Sequence, residues 1–273
     1  MFKAAAVQMR SSNRLEENLA QLRALLIQAA GQGVQLLVLP ENFAVFGAES
    51  QGATAERQDE ITGWLSAACR EFGVWIVAGS MPCLQRPDGT PVPENRVRAS
   101  CLVFDDLGEC RARYDKIHLF DVDVADRQAS YRESAVFEPG DQAVVIDTPW
   151  GKLGLAICYD IRFPALFMRL QQAGADFVAV PAAFTAVTGA AHWETLLRAR
   201  AIETQCFVIG AAQAGWHNAK RETWGHSLIA DPWGRILAER LEATPGLTIA
   251  ELNGAEQREI RARMPLLQHR RLC

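Results

Sequence analysis

Gly154-Leu-Ala-Ile-Cys158-Tyr-Asp-Ile-Arg162-Phe-Pro164 is an apolar run that stops on a cysteine and passes through a polar turn into a proline. Proline suits the first turn of a helix, where its missing N–H is not needed. The stretch therefore reads as strand, turn and helix, with a thiol lifted out at the strand end. Upstream, Val144–Asp147 and Lys152–Ile157 read as strands around Thr148-Pro-Trp-Gly151. Downstream come a strand at Asp176–Val180, a helix at about His192–Thr204 and a strand at Cys206–Ala211.

The first half of the chain follows the same alternation. Ala4–Gln8 is strand-like, and Asn13 with Glu16 has the spacing of a capping box. Leu15, Leu19, Leu22, Leu26 and Ala29 repeat at helical spacing until Gly31 and Gly33. Val34–Leu39 is an apolar run interrupted only by Gln35, the signature of a strand covered on both faces. A helix over Asp59–Phe72 and a strand over Val74–Gly79 follow. Ala99–Phe104 and Cys110–Tyr114 read as an antiparallel pair about Asp105-Asp-Leu-Gly108.

Gly33-Val-Gln-Leu-Leu-Val-Leu-Pro40-Glu-Asn-Phe43 and Gly174-Ala-Asp-Phe-Val-Ala-Val-Pro181-Ala-Ala-Phe184 correspond loosely. The pattern predicts an α/β fold of two pseudo-symmetric halves. No Gly-, Ser- or Pro-rich linker divides the chain, so residues 1–273 are expected to form one domain, with an apolar and basic tail from about Met264. The long loops Pro82–Asn95 and Phe120–Gly140 are candidates for function.

Of the 273 residues, 49% are hydrophobic and 22% charged, which permits a large core. A net charge of −4 argues against nucleic acid as a partner. The N-terminus reads as a strand and not as a signal peptide, and no apolar stretch reaches bilayer length. Seven cysteines, an odd number without a C-x-x-C pair, argue against a zinc site or a disulfide framework. Free thiols suit a reducing cytoplasm. Gly31 and Gly33 precede a strand, the wrong order for a dinucleotide fingerprint. No cofactor and no metal are expected.

Ligands of α/β sheets gather beyond the carboxyl ends of the strands. Glu41, Lys116 and Cys158 all stand at such ends. A thiol is only slightly ionised at neutral pH and needs help to act as a nucleophile. Glu41 can accept its proton, and Lys116 with the Tyr159 N–H can meet an oxyanion. From the residues alone the plainer alternatives stay open: a packed cysteine, a helix-capping glutamate and a surface lysine.

Three blocks, Pro40-Glu41-Asn42-Phe43, Tyr114-Asp-Lys116-Ile-His-Leu-Phe-Asp121 and the Cys158 stretch, resemble the signature blocks of the nitrilase, or carbon–nitrogen hydrolase, superfamily. They come in the family's order, and the similarity covers essentially the whole chain. The resemblance implies a four-layer α-β-β-α sandwich with mixed sheets. It implies a Glu41–Lys116–Cys158 triad with Glu133 as a further active-site carboxylate, and pairing into a homodimer or higher homo-oligomer.

Further stretches, Ala183-Phe184-Thr-Ala-Val-Thr188-Gly189-Ala-Ala-His192-Trp193-Glu194, Leu197–Cys206, Gly225-His226-Ser, Asp231–Gly234 and Gln268–Arg271, resemble the Nit-type amidases within that family. They imply hydrolysis of a small, carboxylate-bearing α-keto-acid amide through a thioester. Deaminated glutathione is the leading substrate, with α-ketoglutaramate, another aliphatic amide or a nitrile as alternatives. The non-enzymatic alternative is a binding or regulatory protein on the same scaffold. By the same resemblance Arg162 holds the substrate carboxylate and Phe184 and Thr188 line the pocket. Arg162 could equally form an internal ion pair with Asp160 or a neighbouring carboxylate.

Overall fold

The computed structural model describes residues 1–93 and 96–271. Asn95 at the end of one predicted loop, and Leu272 and Cys273 at the end of the tail, lie outside them, as does Glu94.

The chain forms two βαβαβ units. In the first, β1 (Phe2–Gln8), α1 (Leu15–Gly31), β2 (Leu36–Val38), α2 (Gln58–Phe72) and β3 (Trp75–Val77) follow one another. β4 (Arg98–Phe104) and β5 (Cys110–Asp115) then extend the sheet, antiparallel to each other as expected. In the second unit, β6 (Val145–Thr148) precedes β7 (Gly151–Leu155), α3 (Pro164–Gln172), β8 (Phe177–Ala182), α4 (Ala186–Thr204) and β9 (Phe207–Ala212). β10 (Leu228–Ala230) joins the second sheet and β11 (Gly246–Leu252) the first, and the short strands Ile236–Glu239 and Met81–Cys83 add an edge to each in turn.

Each sheet has three parallel strands, β1-β2-β3 or β7-β8-β9, flanked by antiparallel neighbours: β11 and β4 in one, β10 and β6 in the other. β2 and β8, the strands of the two corresponding sequence segments, each occupy the centre of their parallel trio. The pseudo-symmetry is therefore a property of the topology.

Side-chain alternation builds the layers. Successive strand residues point to opposite faces. In β1, Ala5 and Val7 pack with Leu15, Leu19 and Leu22 of α1 and with Ile61 and Leu65 of α2. Ala4 and Ala6 face the other way, into a core shared with Leu153, Leu155, Val178 and Val180 of the second sheet. That core continues to Phe167 and Leu170 of α3 and to Trp193 and Leu197 of α4. The result is helices, sheet, sheet, helices: four layers.

Two local expectations are corrected. Asn13 and Glu16 do not form a capping box; α1 begins after Arg14, and no side chain caps it. Instead the Ser12 hydroxyl accepts from Arg14 N–H at 3.1 Å and donates to Glu17 at 3.0 Å, while Glu16 pairs with Arg57. α4 begins at Ala186 and not near His192, because Thr185 caps it by accepting from Thr188 N–H at 3.1 Å. Its first turns are small and lack apolar periodicity, since Gly189 lies under Trp224: a Cβ there would meet the Trp224 side chain at 2.2 Å.

Candidate active site

The three strand-end residues reach one place by different local devices. Glu41 lies just beyond β2, followed by Asn42 in the left-handed region at φ 56°. Asn42 N–H donates to Ser80 Oγ at 3.0 Å, and Gln213 Nε2 donates to Glu41 O at 3.0 Å. Gly79 makes this turn possible: its φ is +50°, and a Cβ would meet Pro40 O at 2.0 Å. Lys116 directly follows β5, and its backbone is fixed on both sides, N–H to Ala99 O at 2.9 Å and O from Gly140 N–H at 2.8 Å. Glu133 opens a single 3-10 turn inside the long Phe120–Gly140 loop.

Cys158 begins a 3-10 turn, Cys158–Arg162, that leads into Pro164 at the start of α3. Its φ of 48° is rare for a residue with a side chain, and such strain gathers at functional sites. Tyr159 is the second residue of that turn, ahead of its first bond, Asp160 N–H to Ile157 O at 3.0 Å. Backbone N–H groups at such a position have no carbonyl of their own turn to bond.

Asp160, fully buried, ties this turn to the segment that carries Lys116. Its Oδ2 accepts from Tyr114 OH at 2.6 Å and Ile157 N–H at 2.9 Å. Its Oδ1 takes His118 N–H at 3.0 Å and lies 2.7 Å from His118 Nδ1. With both oxygens occupied, Asp160 is not the partner of Arg162. Asp160→Ala strands several buried donors at once, so it should destabilise the fold by at least about 3 kcal/mol. A urea midpoint equal to that of the parent protein would refute this.

The charges converge tightly. Lys116 Nζ lies 2.7 Å from Glu41 Oε1 and 2.8 Å from each oxygen of Glu133, with only 1% of its side chain exposed. Glu133 is fixed in turn by Phe120 N–H, which donates to its Oε2 at 2.6 Å. Burial pulls the Lys116 ammonium down, but the charges of Glu133 and Glu41 outweigh it and hold the lysine well above its usual range. Burial pushes the Glu133 carboxyl up, against the pull of Lys116. Burial and then the Glu41 charge push the Cys158 thiol well above the ordinary cysteine range, and Lys116 only partly opposes them. The surroundings thus disfavour the thiolate and do not stabilise it.

These groups open on a cavity of about 340 Å³, the size of a small-ligand site. Glu41, Lys116, Glu133, Cys158, Tyr159, Arg162, Phe184 and Thr188 all line it. Every residue singled out in the sequence is therefore brought to one place. The Arg162 guanidinium lies over the rings of Phe184 and Tyr159, at 5.0 and 5.9 Å, with Nη1 3.2 Å from His192 Nδ1. Among the described residues no group of three or more His, Cys, Asp or Glu side chains could hold a metal ion. Sequence reading missed Arg221 and Tyr131, which also line the cavity. Their only signal was membership of polar loops, shared with many residues that do not reach it.

Residues 3–262 match the carbon–nitrogen hydrolase family. A curated relative from Yersinia enterocolitica, a deaminated glutathione amidase, is 44% identical over 98% of this chain and 92% of its own length. The crystal structure of the C. elegans NitFhit protein superposes with a TM-score of 0.88 at 35% identity, over 99% of this chain. The chain spans only 65% of that longer protein. An amidase from Nesterenkonia sp. AN1, solved with acrylamide added to its active-site cysteine, superposes at 0.79 with 26% identity, covering 97% of this chain and 98% of its own. With the four-layer fold and a family match over residues 3–262, the chain belongs to the carbon–nitrogen hydrolase family.

Proposed function

We propose that this chain is a cofactor-free amidase with Cys158 as nucleophile, and that its substrate is an α-keto-acid amide, deaminated glutathione foremost. The observation that carries the reading is the convergence of Cys158, Glu41, Lys116 and Glu133 on one cavity whose wall holds the Arg162 guanidinium. The name of the Yersinia relative supports the choice of substrate.

Because burial and Glu41 disfavour the thiolate, the proton leaves as the C–S bond forms. Glu41 takes the proton while the sulfur adds to the amide carbonyl. Lys116 and the Tyr159 N–H hold the oxyanion. The tetrahedral adduct collapses, Glu41 returns the proton to the departing nitrogen, and an acyl-thioester remains on Cys158. Water, deprotonated by Glu41, then releases the acid and restores the thiol. Glu133 touches Lys116 and keeps it aimed, as a positioning residue.

Arg162 suits a planar carboxylate because its fork donates two parallel hydrogen bonds. Its aromatic bed and His192 orient it without neutralising it. Arg162→Ala should raise KM for keto-acid amides about 10–100-fold while kcat changes little, the mark of ground-state binding. An unchanged KM removes Arg162 from the pocket.

The deciding experiment compares deaminated glutathione, α-ketoglutaramate and simple nitriles on the purified protein. Deaminated glutathione should give the highest kcat/KM. A preference for α-ketoglutaramate reassigns the substrate, and no turnover of any of them favours a binding protein. On the same reading the chain works in the cytoplasm, where its free thiols stay reduced, as a homodimer or higher homo-oligomer. Val187 and Ile202, exposed apolar residues on α4, support the association.

A further inference from the structure

A second unneutralised guanidinium reaches the same cavity. Arg221 lies in the loop between the short strands Ala214–Trp216 and Glu222–Trp224. The loop is built to present it. Asn218 Oδ1 accepts from the N–H groups of Lys220 and Arg221, each at 2.9 Å, and His217 N–H donates to Arg221 O at 3.0 Å. The Arg221 side chain donates from Nη1 to Tyr131 OH at 2.9 Å and from Nη2 to Ala183 O at 2.6 Å. It lies over the rings of Tyr131 and Phe46, at 4.9 and 5.9 Å.

Each of these direct partners is uncharged; the Asp126 carboxylate is reached only through Tyr131 OH, which donates to its Oδ2 at 2.7 Å. Arg132, which also lines the cavity, is already paired with Asp123 at 2.9 Å. The cavity carboxylates Glu41 and Glu133 are held by Lys116, and Glu49 at the wall is exposed. Arg162 and Arg221 therefore bring two positive charges into a small space, and among the described residues neither forms an ion pair. Partly desolvated guanidinium groups call for anionic partners. Two of them call for two carboxylates.

Their positions divide the work. Arg162 shares the turn of Cys158 and so belongs with the acyl fragment, which stays bonded to the sulfur. Arg221 stands on a separate hairpin, against Tyr131 and the backbone of Ala183. We propose that Arg221 binds a carboxylate on the leaving-amine fragment, so that the preferred substrate carries a carboxylate on each side of the scissile amide. This assignment rests on the keto-acid-amide reading above. It names the amine side as well: a short peptide-like amine ending in a free carboxylate.

A matched pair of substrates tests it: deaminated glutathione, and the same molecule with its terminal glycine carboxylate capped as the carboxamide. The unmodified protein should favour the free acid by about 10–100-fold in kcat/KM, the worth of one charge-assisted contact. Arg221→Gln should reduce that preference to within about threefold, and Arg221→Lys should restore part of it. Arg162→Ala should weaken both substrates and leave the preference standing. A merely structural role for Arg221 would lower both substrates alike and keep the ratio. Overturning results are a preference that survives Arg221→Gln, or no preference in the unmodified protein although both amides are hydrolysed. If neither amide is hydrolysed, the keto-acid-amide reading itself fails and this assignment falls with it.

Discussion

Cys158→Ala should lower kcat/KM on every amide substrate by about 10⁵-fold or more, while the protein folds normally. The fold argument comes first. At φ 48° both Cys and Ala are equally strained, because each carries a Cβ, so the exchange adds no backbone cost. Only the sulfur is lost from a buried site, and a small buried group of this kind is worth about 1 kcal/mol. Loss of turnover in this variant is thus loss of chemistry. What remains, Lys116, Glu41 and the backbone donor, can still polarise a carbonyl and deliver water, so the floor is low but finite. Two measurements decide: kcat/KM with a urea midpoint, and the intact mass of rapidly quenched protein. The parent should carry the acyl group on Cys158 and the variant should carry none. Residual activity within about a hundredfold of the parent would remove the thioester from the mechanism.

The nucleophile was easy to read in the sequence, and the reason is local. A strand, a turn and a proline lie within eleven residues, so the placement of Cys158 depends on short-range geometry that composition and order encode. The same holds for β2 with Glu41 and for β5 with Lys116. The parallel strands were legible because they are largely buried and read as mainly apolar runs. What failed was also local. The start of α4 is set by one threonine cap and by a glycine under Trp224, a tertiary contact that no periodicity reports. The supposed capping box lost to Ser12, because Glu16 had a better partner in Arg57, far along the chain. Asp160 was one of the carboxylates open to Arg162 as a partner. It is instead the anchor of Tyr114 and His118, which only the folding of two sheets brings to it. Arg221 was invisible for the same reason: its meaning depends on Tyr131 and Ala183, both distant in sequence.

Lys116→Met should cost at least about 10³-fold in kcat and about 3–5 kcal/mol of stability, by two separable routes. Methionine matches the lysine stem in length and apolar character, so no cavity opens and packing is nearly preserved. What disappears is the ammonium between Glu41 and Glu133, held at 2.7 and 2.8 Å. The two carboxylates then face each other across a buried site. Burial already pushes Glu133 up, and without the lysine it goes further and takes a proton. That proton relieves the repulsion and limits the loss of stability. It does nothing for the reaction, since a protonated dyad supplies no positive charge to an oxyanion. Activity should therefore stay low even where that proton recovers part of the stability. Glu133→Gln gives the contrast: it keeps an oxygen for Phe120 N–H and leaves Lys116 paired with Glu41, so its losses should be smaller on both counts. Steady-state kinetics and urea denaturation of the two variants settle the order. A Lys116→Met protein that keeps more than about a tenth of its kcat shows that the oxyanion is held elsewhere. One that is as stable as the parent shows that the buried cluster is retained for catalysis at no net gain to the fold.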